Sequence, residues 1–409
     1  MGKALLVAAS LDTLASSEET TLFGYTNANS AVARSRGDCT EAATFSNLGV
    51  NVIAGNSGTL TLRFLVDAAA GQQVVSFAGT GAGEDTTNSD VLSAGQDWQL
   101  GYTDTGTDST IAWLRGNVAF SSGHGNFHGS ANMAAPIFDA ASATRFISLA
   151  GNLGADGDVT EDNAEWKVRG YDSFEAFQVR VLANARLNDS TFRNRINGAD
   201  GTGVVTFATL VTGLLIDTAI GDAITDGQTI NASITLGAGV EDLTVTFVCA
   251  TLKSSTSKSE TWTANIVNIG RTASATAHYV PIGGNLFSLT AFTEAQARLK
   301  PGFAAVVSNL RCYLSANTYA SNGTLKLYQN GVAVITLTLT ASGGAGWYEN
   351  TTDTITIDDN DELSFEFDEG GASGSINIHS AGITFAPVAG AAVTRMDDGW
   401  LRAIRRRRG

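Results

Sequence analysis

The chain has few charged residues, few cysteines and few prolines for its length of 409 residues. Charged residues make up 16% of it, against about 25% in an average soluble protein. Its 3 cysteines, Cys39, Cys249 and Cys312, are too few and too far apart for a disulfide framework, which predicts free thiols made in a reducing compartment. Because there are only 4 prolines but 45 glycines, we expect the turns to be built from glycine and small polar residues.

Long hydrophobic runs are also missing. No stretch approaches the ~18 apolar residues of a transmembrane helix, so the sequence predicts a soluble chain without a membrane span. The apolar run after Lys3, residues 4–9, is shorter than the ~7–15 residues of a signal-peptide core, and we predict that it forms the first strand. Hydrophobic residues still make up 43% of the chain, which excludes wholesale disorder.

Basic residues are outnumbered by acidic ones, 25 to 40. Five of the arginines lie within residues 402–408, so the rest of the chain has 20 basic against 40 acidic residues. A body this acidic repels DNA and RNA, and any nucleic-acid binding would be confined to the tail.

An internal repeat organises the chain. Residues 145–153 match residues 278–286 at a displacement of 133, and the same displacement places Lys167 on Lys300 and Gly213 on Gly346. A first copy aligns with the third at displacements of 262 and then 265, which place 45–48 on 307–310 and 111–120 on 376–385. We therefore predict three copies and a tail, with the ranges 1–134, 135–262, 263–387 and 388–409. The Ser- and Gly-rich segments 121–144 and 253–276 are interpreted as linkers.

Within each copy the apolar residues alternate with polar ones, which is typical of β-strands. Asn330-Gly331 is a strong hairpin signal, and similar alternating segments recur at the spacing expected of an antiparallel sandwich. The sequence predicts an all-β protein of three tandem β-sandwiches with jelly-roll-like topology and seven or eight strands each. A single helical turn is expected at Thr293–Leu299 and at the equivalent Thr160–Val168.

No grouping of residues predicts catalysis, a cofactor or a metal site. The acidic run 358–362 lacks the spacing of a calcium loop, and the other copies have ordinary polar turns there. His124 and His128 lie in a predicted linker, where a spacing of four fixes no ligand geometry. No triad, phosphate loop or nucleophile elbow respects the repeat, so we expect a protein that is not an enzyme.

Two regions are candidates for partner binding. Trp98 and Trp113 fall on apolar strand positions of the third copy and are expected in the core. Trp347 differs, because the other copies have Ala82 and Leu214 there, so Trp347 and Tyr348 form a candidate exposed contact. The tail combines apolar residues with a basic end that could dock on an acidic neighbouring subunit; its candidate residues are Trp400, Leu401, Ile404, Arg405, Arg406, Arg407 and Arg408.

The cadence Tyr328-Gln-Asn-Gly331, Gly346, Asn350-Thr-Thr-Asp353 and Asp361-Glu-Leu-Ser-Phe365 resembles virion structural proteins of tailed bacteriophages, such as capsid decoration, head-fibre and tail-fibre proteins. The resemblance implies a particle component that is made in the bacterial cytoplasm, is exposed on the virion surface and binds other virion proteins in a symmetric assembly. No functional residues carry over from it. A receptor- or glycan-binding adhesin remains the alternative, and Trp347 would be its contact residue. A glycan-degrading enzyme is disfavoured, since no paired carboxylates recur.

Overall fold

The computed structural model shows an all-β protein of three sandwiches, as the sequence predicts. It describes residues 3–14, 18–20, 36–55, 57–106, 108–131, 137–139, 143–152, 157–272, 277–285, 292–368, 370 and 373–388. The basic tail lies outside these ranges, as do all of its candidate residues. In the described part, no helix is long and apolar enough to cross a membrane.

The described residues of the first sandwich form nine strands, and the first strand begins in the apolar run predicted to form it. One sheet has the order β1-β9-β4-β7, and the facing sheet has the order β2-β8-β5-β6, with β3 paired to β8. The strands are β1 (Ala4–Leu14), β2 (Glu18–Thr20), β3 (Gly37–Asp38), β4 (Ala43–Ala54), β5 (Thr59–Val66), β6 (Ala69–Ala78), β7 (Gly81–Leu92), β8 (Asp97–Asp104) and β9 (Ser109–Phe120).

The second sandwich repeats this pattern. Its strands are β10 (His124–Ala131), β11 (Ile137–Phe138), β12 (Thr144–Ile147), β13 (Gly151–Asn152), β14 (Trp166–Lys167), β15 (Ser173–Asn184), β16 (Ser190–Ile196), β17 (Ala199–Phe207), β18 (Gly213–Asp217), β19 (Asp222–Ala223), β20 (Thr229–Thr235) and β21 (Leu243–Ser254). The two sheets have the orders β10-β21-β15-β18 and β12-β20-β16-β17. A 3-10 turn at Glu161–Asn163 lies in the predicted helical segment.

The third sandwich has the sheet orders β22-β30-β25-β28 and β23-β29-β26-β27. Its elements are β22 (Ser259–Thr272), β23 (His278–Val280), β24 (Gly284–Asn285), α1 (Glu294–Ala297), β25 (Ala305–Asn317), β26 (Gly323–Gln329), β27 (Val332–Leu339), β28 (Gly346–Ile357), β29 (Leu363–Asp368) and β30 (Ser375–Pro387). The predicted helical turn is α1, and the Thr293 side chain caps it by accepting a hydrogen bond from the Gln296 backbone.

All three sandwiches share one connectivity, in which eight main strands are divided between two four-stranded sheets in the jelly-roll order. The turn chemistry agrees with it. Asn330 and Gly331 have φ angles of 52° and 81°, as a tight hairpin between β26 and β27 requires, and Asn197 and Gly198 repeat these values at 50° and 73°.

The interpretation of 121–144 and 253–276 as linkers is wrong, because each contains a long strand. β10 pairs along its whole length with β21, and β22 pairs with β30. Composition is misleading here because β10 needs small residues. A Cβ atom at Gly125 would lie 2.5 Å from the Leu252 carbonyl oxygen, and one at Gly129 would lie 2.7 Å from that of Val248. The predicted boundary after residue 134 follows β10, and the one after residue 262 lies within β22.

The alignment of the last strand is also corrected. Ile111 lies opposite Val52 in the first sandwich, and Ile378 lies opposite Leu314 in the third, so Ile111 corresponds to Ile378 and not to Ile376. Trp113 consequently corresponds to Ser380. A slip of two residues leaves the inward and outward faces of a strand unchanged, so alternation alone could not detect it.

The three sandwiches close into a ring. Each of the three core clusters includes side chains from the next sandwich: Phe127 and Phe247 of the second contact the first, Trp262 of the third contacts the second, and Leu5 and Trp113 of the first contact the third. β13 pairs with both β10 and β22. The sheet β10-β21-β15-β18 of the second sandwich is therefore joined to the sheet β22-β30-β25-β28 of the third. The arrangement approximates threefold symmetry within one polypeptide.

Candidate functional site

The first strands of the three sandwiches, β1, β10 and β22, meet at the centre of the ring. The Asn126 side-chain amide of β10 donates to the Leu5 carbonyl oxygen and to the Glu260 carbonyl oxygen, each at 3.3 Å. A small cavity of about 30 Å³ lies at this junction, lined by residues of all three strands. Since a single buried amide joins three sandwiches, the centre is a structural junction with little room for a ligand.

His128 is part of this junction, which corrects the prediction that it lies in a linker. It is buried in β10, and its Nε2 atom lies 2.7 Å from the Tyr171 hydroxyl. Burial lowers the pKa of His128 to about 3, so its ring is neutral at physiological pH. His124 lies at the start of the same strand and is only partly exposed.

The interface between the second and third sandwiches, which we call the second–third interface, is built on a buried ion pair. The Arg311 Nη2 atom lies 2.8 Å from Glu260 Oε2, and both side chains are fully buried. Glu260 also accepts hydrogen bonds from the Arg169 backbone and from the Trp262 indole. Arg311 donates to the Lys167 carbonyl oxygen at 2.8 Å and stacks on the Trp262 ring at 4.4 Å. Every charge removed from water here has a partner, as a buried ion pair requires.

The sequence prediction that Trp347 is an exposed loop residue is wrong, because it is half-buried at this interface, near the start of β28. Its ring packs against Trp262 and Tyr313 at centroid distances of 5.9 Å and 5.4 Å. Lys167 Nζ from the second sandwich lies over the ring at 5.8 Å. Tyr348, also half-buried, accepts a hydrogen bond from the Asn317 amide and donates one to the Gly344 carbonyl oxygen.

The third–first interface also contains a buried arginine, but on a different strand. Arg115 is buried and donates to the Asn47 carbonyl oxygen at 3.0 Å, and it also pairs with Glu84, whose side chain is 35% exposed. The Asn47 amide donates to the Gly302 carbonyl oxygen of the third sandwich at 2.9 Å. Gly49 lies opposite Arg115, whereas Arg311 lies opposite Gly382. The buried arginine is therefore on the last strand of the first sandwich (β9), but in the third sandwich it is on the strand that pairs with the last strand (β25).

A cavity of about 250 Å³ lies in the third–first interface. The first sandwich lines it with Asn51, Ala82, Glu84 and Trp113, and the third with Arg298, Lys300 and Glu362, among others. Lys300 Nζ lies 3.7 Å from Glu84, and Arg298 pairs with Glu294 at 2.6 Å. The lining thus combines an indole with charged groups that are already paired.

The first–second interface depends on amide hydrogen bonds. The Gln178 side chain accepts from the Asp38 backbone at 3.1 Å and donates to its carbonyl oxygen at 2.8 Å. Arg180 donates to the Arg36 carbonyl oxygen at 3.1 Å. Burial, and after it a hydrogen bond with Asp97, together raise the pKa of the Asp38 carboxyl to about 7.

The remaining chemical candidates occupy structural positions. The acidic run 358–362 is a turn in which Asp361 accepts hydrogen bonds from the Asn330 amide and the Asp358 backbone. Burial raises the pKa of all three cysteine thiols, which lie in the core. Among the described residues, no group of three or more His, Cys, Asp or Glu side chains is arranged to hold a metal ion.

Sequence reasoning missed the interface arginines and Glu260. The available signal was a charged residue inside an otherwise apolar strand, but exposed Arg63 in β5 has the same sequence context. Trp98 and Trp113 are buried as expected, although Trp113 packs with the core cluster of the third sandwich and not with that of its own.

No family model and no curated protein matches the chain. Three solved structures resemble it weakly. A Bacillus thuringiensis Cry1Da tryptic core variant has 10% identity and a TM-score of 0.15 over 55% of this chain and 53% of that one. Paenibacillus xanthan lyase has 8% identity and a TM-score of 0.19 over 83% and 51%. The infectious bursal disease virus Gx strain structure has 12% identity and a TM-score of 0.19 over 93% and 75%. The chain spans about half the length of the first two, and at these scores we draw no function from the likeness.

Proposed function

We propose that this chain is a non-enzymatic structural protein of a bacteriophage virion, exposed on the particle surface as a capsid decoration or fibre-type component. The observation that carries the proposal is the closed ring of three similar jelly rolls within one polypeptide. A second support is the resemblance of the turn and strand sequences to those of tailed-phage virion proteins. The partners would be the capsid or tail proteins of the same particle.

The ring is suited to a symmetric lattice. Three similar sandwiches in one chain present three similar surfaces around one axis, so a single molecule can contact three copies of a lattice protein at once. Each contact can then be weak, because the second and third form at the high effective concentration set by the first. The ring itself needs no assembly step, since the three units are covalently linked.

The polar residues at the interfaces also favour a structural role. Arg311 and Glu260 of the third sandwich bond backbone groups of the second. Asn47 of the first sandwich bonds the third, and the central Asn126 joins three strands. These groups stabilise the relative positions of the sandwiches, and the central cavity formed by the described residues has a volume of about 30 Å³. A ring whose three units are held in fixed relative positions presents the same set of surfaces to each lattice contact.

The proposal is tested with particles from the source bacterium, separated on a density gradient and probed with an antibody against the purified chain. We expect the chain to co-sediment with particles, and we expect the gold-labelled antibody to bind at the particle surface. We also expect one chain per three copies of the lattice protein that it contacts. Presence of the chain in the lysate but absence from every particle fraction would overturn the proposal.

Rebinding of purified protein to stripped particles tests the role of the ring. The variant Arg311→Met removes the buried cation of the second–third interface, and we expect it to rebind more weakly than the wild type. Arg63→Met, which removes an exposed arginine from β5, is the matched control and should rebind normally. Equal binding by both variants would mean that ring geometry does not matter.

The alternative, a receptor- or glycan-binding adhesin, was based on Trp347 as an exposed aromatic contact. The half-buried position of Trp347 beneath Lys167 offers little of its ring to a glycan. We therefore favour the particle component, and specific binding of the purified chain on a glycan array would favour the alternative.

A further inference from the structure

One end of the second sandwich is apolar, whereas the same end of the third is polar. It is formed by the loops 185–189, 208–212 and 236–242, which we call the second tip. The large apolar side chains exposed there, each at 40–74%, are Leu187, Leu210, Val211 and Val240. Single exposed apolar side chains are common on protein surfaces, but a group of them at one place is typical of an interaction site.

Hydrogen bonds hold the three loops of the second tip together. The Thr209 hydroxyl donates to the Leu187 carbonyl oxygen at 3.2 Å, which joins the second loop to the first. The buried Arg186 guanidinium donates to the Gly239 carbonyl oxygen at 2.9 Å, which joins the first loop to the third. These bonded residues are or adjoin the exposed apolar ones, so the exposed apolar side chains lie close together.

The third sandwich has the same loops with small residues in them. The Val211 N–H donates to the Ala208 carbonyl oxygen at 3.0 Å, and Gly343 makes the matching bond at the same distance. Bonds in the first and third loops of the two sandwiches correspond in the same way. In place of the four apolar residues the third sandwich has, in order, Ala320, Ser342, Gly343 and Ser373. The loops 55–58, 79–80 and 105–108 of the first sandwich contain only Gly, Asn, Ser, Thr and Asp, so one of three equivalent ends carries large apolar residues.

Leu210 is held in an unfavourable backbone conformation. Its φ angle of 61° lies in the left-handed region, where a bulky side chain is an outlier. The equivalent Ser342 has a φ angle of 50°, so the turn itself requires this conformation and a smaller residue can supply it. A leucine that is both strained and exposed lowers the stability of the free chain, and strain of this kind is typical of functional sites.

The border of the second tip is acidic. Asp189 and Asp242 are exposed in its loops, and Glu241 is half-buried between the apolar residues and Asp242. The one basic residue of the three loops, Arg186, is buried. An apolar surface with an anionic border is complementary to a cationic amphipathic one, and it is repelled by an anionic lipid bilayer.

We propose that the second tip is a docking site for an amphipathic segment of a partner protein, in which apolar side chains are flanked by lysine or arginine. The apolar side chains of the partner would cover Leu187 and Leu210, and its cations would face the acidic border. Because one of the three sandwiches carries such a tip, each chain binds one partner there. The inference therefore does not rest on the proposed virion role, which uses three similar surfaces.

Two synthetic helical peptides of equal length test the chemistry of the site in the full chain. One contains leucine and lysine, and the other has glutamate in place of every lysine. By isothermal titration calorimetry we expect the lysine peptide to bind with one peptide per chain, and the glutamate peptide to bind at least tenfold more weakly. Equal affinities for the two peptides would overturn the proposal, since the acidic border would then play no part.

A tip variant built from the residues of the third sandwich tests the position of the site. It combines Leu187→Ala, Leu210→Ser and Val240→Ser, which the equivalent loops of the third sandwich already accommodate. We expect at least tenfold weaker binding of the lysine peptide and an unfolding midpoint no lower than that of the wild type, because Leu210→Ser removes a strained leucine. Val332→Ser, which removes an exposed valine from the third sandwich, is the matched control and should bind normally. Equal binding by the tip variant and the wild type would place the peptide elsewhere on the acidic chain and overturn the proposal.

The same tip variant distinguishes two other occupants, a second copy of the chain and a lipid bilayer. We expect no self-association through the tip, because two acidic borders repel each other, and no binding to phosphatidylcholine vesicles. A dimer in analytical ultracentrifugation that dissociates in the tip variant would overturn the proposal in favour of a second copy. Vesicle binding by the wild type but not by the tip variant would overturn it in favour of a membrane.

Discussion

The second–third and third–first interfaces place different side chains in corresponding spaces between two sandwiches. In the second–third interface, Trp347 and Tyr313 fill the space beneath Lys167, and the Arg311–Glu260 pair is fully buried. In the third–first interface, Ala82 leaves a cavity, and the arginine pairs with a partly exposed glutamate. One fold and one arrangement of sheets therefore support both a filled contact and an open one. The difference lies in a few side chains: Ala82 stands where the third sandwich has Trp347, and the buried arginine lies on a neighbouring strand of the same sheet.

The two ion pairs provide the largest expected contrast. Arg311→Met leaves the Glu260 carboxylate buried without a cation, which costs about 3–5 kcal/mol. Arg115→Met removes the hydrogen bond to the Asn47 carbonyl oxygen, but Glu84 is 35% exposed and stays hydrated, so we expect a loss of about 1–2 kcal/mol. Urea unfolding of the two variants measures the difference.

Arg63→Met is the control for these two variants, because Arg63 is an exposed strand arginine and its loss should change the unfolding midpoint little. Equal destabilisation by Arg311→Met and Arg115→Met would contradict the view that the burial of the partner carboxylate sets the cost. Replacing Arg311 and Glu260 together by apolar residues should restore part of the loss, since no unpaired charge would then remain.

A second prediction concerns a variant whose second–third interface would contain a cavity, as the third–first interface does. Trp347→Ala should create a cavity beneath Lys167 and lower the free energy of unfolding by about 2 kcal/mol, less than for a fully buried tryptophan because the ring is half-buried. Trp347→Phe keeps an aromatic ring and should cost under about 1.5 kcal/mol. Thermal and urea unfolding check both values, and a neutral Trp347→Ala would mean that this ring contributes nothing to the second–third interface.

The sequence predicts the fold well because its signals are local. Alternation defines the strand faces, Asn330-Gly331 defines a hairpin, and the segment from Thr293 to Leu299 defines a helical turn. These three signals depend on neighbouring residues alone. The repeat adds the number of sandwiches, and it too is seen in the sequence without knowledge of tertiary contacts.

The interfaces could not be predicted, because they depend on which distant surfaces meet. Arg311 and Arg63 are both strand arginines between apolar residues, yet one is fully buried and the other exposed. Trp347 follows glycines, as a loop residue would, yet it packs between two sandwiches. Gly125 and Gly129 give β10 the composition of a linker because neighbouring backbone leaves no space for a side chain. Only the assembled ring distinguishes these cases.

The first–second interface extends the comparison to a contact that depends on pH, and here we expect the smallest effect. The Asp38 carboxyl has a pKa of about 7 in the folded chain, against an ordinary value of 3.8, because it is partly buried and hydrogen-bonded to Asp97. The folded state therefore holds this proton more tightly than the unfolded chain does. The resulting stabilisation is fully present below about pH 4 and is lost as the pH rises to about 7.

Asp38→Asn keeps a neutral side chain at every pH, so its unfolding midpoint should fall less between pH 5 and pH 8 than that of the wild type. Asp67→Asn is the matched control from the same turn region. Hydrogen bonds from the Gln96 amide and the Asp97 backbone lower the pKa of Asp67, which gives a stabilisation present above pH ~4 and lost as the pH falls. The Asp67 charge is also the smallest of the causes that raise the pKa of Asp38, so that variant should reduce the change between pH 5 and pH 8 much less than Asp38→Asn does. Parallel pH profiles for Asp38→Asn and the wild type would show that the first–second interface does not respond to this proton. The three interfaces would then differ mainly in how completely side chains fill them.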